Sequence, residues 1–197
     1  MPQARAVVAT RNQHKLRELD EILASPELVP LPDEVGLPPE QGETFADNAL
    51  AKARAAHAAT GLAAIADDSG IEARALGGLP GVRSARYAGP EAGDEENLEL
   101  LLRELAGAAD RSVAYICALA YVGETGAEQL FEGRCEGRLA GEPRGSSGFG
   151  YDPAFVPDDT GPGDRRTMAE LSAAEKHAIS HRGRAARKLA SWLEAGS

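Results

Sequence analysis

Residues 112–122 read SVAYICALAYV, an apolar run that decides the fold class. Both alternating sets of side chains are apolar, which is typical of a strand that other elements cover on both faces. A turn at residues 123–126 and a strand at residues 129–138 are predicted to complete a hairpin with it. Covering layers are therefore expected on each side of the sheet.

Strand and helix patterns alternate along the rest of the chain. Further strands are predicted at residues 5–10, 28–31 and 62–66, the last ending at Asp67, with residues 71–75 extending or returning it. Helices are predicted at residues 12–23, 44–60, 94–105 and 180–192. This alternation predicts an α/β fold. Because no repeat or linker interrupts it, residues 1–197 are expected to form one domain.

The charge, hydropathy and cysteine content of the chain exclude several classes of partner and site. The formal net charge of −10 argues against nucleic acid or an anionic membrane, since both attract basic surfaces. No apolar stretch approaches the ~20 residues that span a bilayer. Cys117 and Cys135 lack the spacing of a zinc site, so we expect reduced, buried thiols in a cytoplasmic protein.

The strongest local signal is Asp67-Asp68-Ser69-Gly70, directly after the predicted strand at residues 62–66. Two adjacent carboxylates at the end of a strand can bind Mg²⁺, which prefers hard oxygen ligands. Gly70 would let the chain turn sharply there. Because Asp, Ser and Gly are also ordinary turn formers, a plain polar turn remains the alternative.

A second polar cluster, Thr10-Arg11-Asn12-Gln13-His14-Lys15, precedes the first helix. Helix amino termini hold anions through free N–H groups and the helix dipole, so the cluster predicts phosphate binding. The alternative is a helix capped by Asn12 with a solvated Lys15. Neither GxxxxGK[ST] nor GxGxxG after a strand occurs, which disfavours P-loop NTPases, kinases and dinucleotide dehydrogenases.

The glycine-rich stretch SSGFGYDP, residues 146–153, places Phe149 where it could stack on a base. Considered by itself, a plain turn with a core aromatic is the favoured interpretation of this stretch. Lys176, His181 and Arg182 taken alone indicate a solvated helix face. His14 and His57 have no metal-ligand spacing.

These pieces occur together in one order: TRNQHK, PEQGETFADNALAKA, DDSG, LGGLPGVRSARYAG, GFGYDPAF and MAELSAAEKHAISHR. The set resembles the inosine triphosphate pyrophosphatase family, also described as dITP/XTP pyrophosphatases, from about Val7 to Trp192. The resemblance implies an elongated mixed central sheet flanked by helices, with an active-site cleft between two lobes. It also implies a homodimer that uses Mg²⁺ to hydrolyse ITP, dITP or XTP to the monophosphate and pyrophosphate.

The resemblance further implies roles for individual residues. Asp68 would be the general base with Asp67 beside it, and Glu40 would join Asp68 in holding Mg²⁺, with Glu43 a weaker candidate. The triphosphate would contact Thr10, Arg11, Asn12, Gln13, His14, Lys15 and Lys52, and Ser69 would lie against the substrate. The base pocket would consist of Phe149, Gly150, Tyr151, Asp152, Lys176, His181 and Arg182.

Two positions near Glu40 depart from the family pattern. The family often has Glu before Asn48, where this chain has Asp47, and often Thr-Gly after the metal-binding Glu, where this chain has Gln41-Gly42. Two other functions stay open: a nucleotide-binding module without turnover, and a similar hydrolase of other modified or canonical nucleotides.

Overall fold

The computed structural model describes residues 5–195 and confirms the α/β class with a mixed sheet. Its strands are β1 (Arg5–Val8), β2 (Glu27–Pro30), β3 (Ala63–Ala73), β4 (Ser112–Val122), β5 (Glu128–Leu139) and β6 (Phe155–Pro157). They form one six-stranded sheet in the order β2-β1-β3-β4-β5-β6. β1 pairs in parallel with β2 and β3, whereas β6 is antiparallel to β5.

Five α-helices lie between these strands or follow them in the described part of the chain. They are α1 (Gln13–Ile22), α2 (Phe45–Thr60), α3 (Asp94–Glu104), α4 (Ala173–Ile179) and α5 (His181–Ala195). A capping box between Thr44 and Asp47 begins α2, and Gly61 ends it in the left-handed conformation at φ 69°. The predicted helix at residues 180–192 corresponds to α5, which continues to Ala195.

The chain divides into two compact units. The first unit comprises residues 5–68, 117–133 and 182–195, and the second comprises residues 69–116 and 134–181. The predicted cleft between two lobes remains a prediction.

Each unit has its own apolar core. In the first unit, alanines and aliphatic side chains of β1, β3, β4, α1 and α5 pack together: Ala6, Val8, Leu19, Leu23, Ala63, Ile65, Cys117, Leu119, Ala185, Ala186 and Leu189. The second core is richer in large residues, including Leu98, Leu101, Leu105, Tyr115, Tyr151, Phe155 and Met168. Removal of this apolar surface from water is the main stabilising contribution to both units.

β3 differs from its prediction. The expectation that it ends at Asp67 was wrong: the strand continues through Asp67-Asp68-Ser69-Gly70 to Ala73. Of the predicted residues 71–75, the first three extend the strand, and a 3-10 helix, Arg74–Leu76, follows it. Side chains on an extended strand alternate between its two faces. Asp67 and Asp68 therefore point in opposite directions.

Gly70 is required for close packing rather than for a turn. A Cβ atom at this position would lie 2.4 Å from the Ser84 Oγ and 2.6 Å from the Gly81 carbonyl oxygen. The same Ser84 hydroxyl accepts a hydrogen bond from the Ile71 N–H at 2.9 Å. Any larger residue at position 70 would separate β3 from the segment that contains Ser84.

Two further expectations concern membranes and thiols. Within residues 5–195, no helix has both the length and the apolar character needed to cross a bilayer. Cys117 and Cys135 are both buried and neither forms a disulfide, as predicted. Burial, together with the nearby Asp67 carboxylate, raises the pKa of the Cys117 thiol to about 12.

Candidate active site

Asp67 is a buried carboxylate surrounded by positive charge in the first unit. Its side chain is 1% exposed, and its Oδ2 lies 3.1 Å from the Lys15 Nζ. The same oxygen accepts hydrogen bonds from the Arg182 Nε at 3.0 Å and Nη2 at 2.9 Å. Although burial alone would raise its pKa, Lys15, Arg182 and Lys52 hold the pKa of Asp67 far below its usual value. Asp67 is therefore a permanently charged anchor.

Arg182, one of the basic partners of Asp67, also pairs with Glu18. Arg182 is 1% exposed. Its Nη1 donates to the Glu18 carboxylate, while its Nε and Nη2 donate to Asp67. Glu18 lies three residues after Lys15 on α1, so both side chains occupy one helix face. Sequence analysis did not single out Glu18, because a Glu in an amphipathic helix usually faces solvent.

Arg182 pairs with carboxylates of the first unit, and its predicted place in a base pocket remains a prediction. Its guanidinium lies in the first unit and its charge is matched by Asp67 and Glu18. Successive residues of α5 point about 100° apart, so His181 and Arg182 have different neighbours.

Asp68 has the opposite environment to Asp67. Its Oδ2 accepts a hydrogen bond from the Asn48 Nδ2 at 2.8 Å, and the Asn48 Oδ1 accepts one from the Gly42 N–H at 2.8 Å. Burial first, and then the negative charge of Glu40, raise the pKa of Asp68 above its usual value. The result is a carboxylate that is held in one orientation and is more basic than usual.

Lys52 lies beside both carboxylates of β3. Its Nζ donates to the Glu40 Oε1 at 2.5 Å and to the Asp67 carbonyl oxygen at 2.7 Å. Although burial lowers the pKa of Lys52, the charges of Asp67, Glu40 and Asp68 outweigh burial and raise it. Lys52 therefore remains a cation inside the first unit.

Asn48 is a site residue that sequence analysis missed. It is 3% exposed and lies four residues before Lys52, so both side chains project from the same face of α2. The available signal was the spacing itself: two polar residues one turn apart in an otherwise alanine-rich helix.

Glu40 and Asp68 fit a divalent cation in their chemistry. Both supply carboxylate oxygens, and Glu40 destabilises the charged form of Asp68, a repulsion that a bound cation would relieve. Among residues 5–195, no group of three or more His, Cys, Asp or Glu side chains could hold a metal ion. Mg²⁺ usually takes only one or two carboxylates and completes its ligands with water and substrate phosphates. A two-carboxylate site suits Mg²⁺ that binds together with a nucleotide.

The residues before α1 have mixed roles. The Asn12 Oδ1 accepts from the N–H groups of His14 at 2.9 Å and Lys15 at 3.3 Å, so the helix-cap alternative for Asn12 is confirmed. Lys15, by contrast, is paired with Asp67 rather than solvated. Thr10 accepts the Asn12 N–H through its hydroxyl at 3.1 Å, and Gln13 is exposed. Their predicted contacts with a triphosphate remain predictions.

Arg11 and His14 are engaged locally. The Arg11 guanidinium donates to carbonyl oxygens of the segment after β2, namely those of Leu31, Pro32, Asp33 and Val35. The exposed His14 ring contacts Arg17, its Nδ1 lying 3.2 Å from an Arg17 nitrogen. Arg11 thus fixes the chain that leads towards Glu40.

In the second unit, Asp152 organises the glycine-rich loop. Its Oδ2 accepts from the Phe149 N–H at 3.0 Å and from the Lys176 Nζ at 2.9 Å, and its Oδ1 accepts from the Tyr115 hydroxyl at 3.0 Å. The Lys176 Nζ also lies 5.1 Å from the centre of the Phe149 ring. Four residues from three separate parts of the sequence are therefore held as one cluster.

Tyr115 is a second residue that sequence analysis missed, because it appeared as an ordinary apolar position of β4. Its ring stacks on His181 with centroids 4.6 Å apart and on Phe155 at 4.4 Å. Burial, and then Asp152, raise the pKa of Tyr115 well above its usual value, so its hydroxyl stays a proton donor. Tyr115 therefore positions Asp152 and His181 together.

The remaining loop residues serve the shape of the loop. The Tyr151 hydroxyl donates to the Ser84 carbonyl oxygen at 2.8 Å, and its ring belongs to the second core. The Gly150 N–H donates to the Asp94 Oδ2 at 2.8 Å. Gly148 has φ 78°, and a Cβ there would lie 2.1 Å from the Asp152 Oδ2.

Ser69 is half-buried on β3, and its predicted contact with the substrate remains a prediction.

The chain is similar to known proteins along nearly its whole length. The model of the Ham1 family matches residues 6–192. The chain is 52% identical to the dITP/XTP pyrophosphatase of Frankia alni over 96% of each chain, and 50% identical to that of Mycolicibacterium paratuberculosis over 95% of each. A solved Ham1 protein from Coxiella burnetii superposes with a TM-score of 0.86 at 42% identity, covering 98% of this chain and all of the other. The chain therefore belongs to the Ham1 family.

Proposed function

We propose that the protein hydrolyses non-standard purine nucleoside triphosphates, such as ITP, dITP and XTP, to the monophosphate and pyrophosphate. One observation carries the proposal: β3 presents a basic carboxylate, Asp68, oriented by Asn48 and accompanied by Lys52 and Glu40. The chain shares about half of its residues, along nearly its whole length, with dITP/XTP pyrophosphatases.

Asp68 acts as the general base. It orients the attacking water and accepts its proton while the water oxygen bonds to the α-phosphorus and the bond from that phosphorus to the bridging oxygen breaks. The leaving group is pyrophosphate. The raised pKa of Asp68 favours proton transfer, because a carboxylate is a stronger base when its charged form is destabilised.

Positive charge for the phosphates comes from Lys15 and Lys52. Both contact carboxylates of this chain, and Lys52 remains charged inside the unit because the neighbouring carboxylates raise its pKa. They stabilise the charge that develops on the phosphoryl oxygens. Glu40 and Asp68 would hold Mg²⁺, which supplies additional neutralisation of these oxygens when it is bound.

Recognition of the base is assigned to the cluster around Asp152. Phe149 offers a stacking surface, and Lys176 and His181 offer groups that can donate to the oxygen at position 6 of hypoxanthine or xanthine. The amino group of adenine presents a donor at the same position. A mismatched buried pair costs about 1–3 kcal/mol, which gives modest discrimination for each contact.

The decisive experiment compares kcat/KM for a panel of nucleotides with Mg²⁺ and identifies the products. We expect ITP and XTP to exceed ATP and CTP, with pyrophosphate as the first product. Asp68→Asn is expected to reduce turnover by at least about 10²-fold, whereas Asp20→Asn, an exposed position on α1, serves as the matched control. Orthophosphate as the first product would refute the proposal, and tight ITP binding without hydrolysis would favour a non-catalytic module.

We also propose a cytoplasmic homodimer, an inference that the family resemblance supports. Two buried thiols without a disulfide agree with a reducing compartment. Light scattering of the purified chain tests the dimer, and a monomer at micromolar concentration would refute it.

A further inference from the structure

We propose that the second unit contains an additional anion-binding site that recognises multiply charged phosphate groups. An open depression of about 690 Å³ is lined by five arginines and one glutamate, together with apolar and backbone groups: Arg111, Arg138, Arg144, Arg165, Arg166 and Glu170. None of these residues belongs to the proposed catalytic or base-binding sets. Such a concentration of arginine is unexpected in a chain of net charge −10.

Arg111 provides a fixed positive charge on one side of the depression. Its Nε donates to the Leu139 carbonyl oxygen at 2.9 Å, and its Nη1 and Nη2 donate to those of Leu105 and Ala140, each at 2.6 Å. These contacts hold the guanidinium in place without any carboxylate. Arg111 therefore keeps its full charge, and little side-chain entropy remains to be lost on binding.

Arg138 and Arg165 add two charges that are also unmatched. Both side chains are exposed, and within residues 5–195 neither lies within ion-pair distance of a carboxylate. The acidic neighbour of Arg138 is Asp110, which is itself paired with Arg74 at 3.7 Å. With Arg111, they make three positive charges around one depression.

The other two arginines are already compensated. Arg144 pairs with Glu170 at 3.4 Å and donates to the Arg165 carbonyl oxygen at 2.5 Å. Arg166 pairs with Asp164 at 2.9 Å and with Glu175 at 3.0 Å. They shape the depression and fix the backbone of Arg165, but they add little net charge.

The charge and geometry favour phosphate over carboxylate. One carboxylate would match only one of the three charges, whereas each phosphate group carries about −1.5 to −2 charges near neutral pH. Guanidinium groups bind phosphate oxygens in a bidentate manner. An anion with two linked phosphate groups, such as pyrophosphate or the diphosphate part of a nucleotide, can contact several of these arginines at once.

The test is calorimetric titration of the full-length protein with pyrophosphate in the absence of divalent metal. We expect the double variant Arg138→Gln/Arg165→Gln to lose one class of site, with Kd for that class raised at least about tenfold. The control Arg83→Gln/Arg103→Gln removes the same charge from exposed positions that do not line the depression. It is expected to keep the parent stoichiometry.

Two outcomes would overturn the proposal. One is a double variant that binds as many pyrophosphate ions as the parent, with the same affinity. The other is equal competition by sulfate, which would indicate an adventitious ion only. The titration measures pyrophosphate binding and not turnover. The result therefore does not depend on whether the protein hydrolyses nucleotides.

Discussion

Asn48→Ala should shift the pH dependence of catalysis while leaving the fold intact. In the parent, the Asn48 Nδ2 hydrogen bond to Asp68 favours the charged carboxylate and so lowers its pKa, against the upward effects of burial and Glu40. Removing the amide leaves those upward effects in place. The pKa of Asp68 must therefore rise, and the acidic limb of kcat/KM must move to higher pH.

The size of the effect follows from the strength of one hydrogen bond to a charged group, about 1.5–3 kcal/mol. Since one pKa unit corresponds to about 1.36 kcal/mol, the acidic limb should move up by about one to two units. Below the shifted limb, kcat/KM should fall about tenfold to a hundredfold. Well above it, the loss should be smaller, because Asp68 is ionised in both proteins.

The assay is pyrophosphate release from ITP between about pH 5 and pH 9 at saturating Mg²⁺, with parent and variant compared at each pH. Asn97→Ala is the matched control: Asn97 is 1% exposed, and its side chain bonds the backbone groups of Ala88 and Ala85. It should lower the free energy of unfolding without moving the acidic limb. An unchanged limb in Asn48→Ala would refute the assigned contact between Asn48 and Asp68.

Three other outcomes are expected. Asp67→Asn should reduce the free energy of unfolding by about 3–5 kcal/mol, because it leaves Arg182 buried beside a neutral amide. The pKa of Asp67 is lowered by folding, so its contribution is present above the usual value of 3.8 and is lost as the pH falls below it. The stability gap between parent and variant in urea titrations should therefore narrow below about pH 4, and a gap independent of pH would contradict this. In Tyr115→Phe, Asp152 loses a hydrogen-bond donor, so KM for ITP should rise more than kcat falls. The preference for ITP over ATP, measured as the ratio of their kcat/KM values, should also decrease. An unchanged ratio would count against a positioning role of Tyr115. The Cys117 thiol is buried and its pKa is raised, so it should react with maleimide only after unfolding. Rapid labelling of Cys117 in the native protein at about pH 8 would contradict its burial.

Local patterns were sufficient for most elements of the fold. The strand β4 has the bounds predicted from SVAYICALAYV, and Thr44 and Gly61 flank α2 as their residue types indicate. These features depend on neighbours in sequence, which is why a single sequence reveals them.

The error at β3 has a physical origin. Asp67 and Asp68 resemble a solvent-exposed turn because charged side chains rarely lie inside a protein without a partner. The partner that permits burial, Arg182, lies 115 positions away in sequence. Only the folded chain brings that guanidinium to the strand, so no local pattern could indicate that β3 continues.

Some contacts within the candidate site join residues that the sequence indicated, and others do not. Lys52 and Glu40 were expected near Asp68, and the structure places Lys52 and Glu40 in contact with each other. Asn48 and Tyr115 were missed because their importance comes from a single hydrogen-bond partner in each case, Asp68 and Asp152. Only the folded chain brings each of these residues to its hydrogen-bond partner.

The alternation of β3 also limits how this chain can change during evolution. An insertion or deletion of one residue upstream of Asp67 would turn the proton acceptor towards the guanidinium of Arg182 and the anchoring charge towards Asn48. Both aspartates would still be present in the sequence, yet neither would lie on the face of β3 that its role requires. Length variation in this strand should thus be tolerated only in steps of two, even though surface loops elsewhere can lengthen one residue at a time.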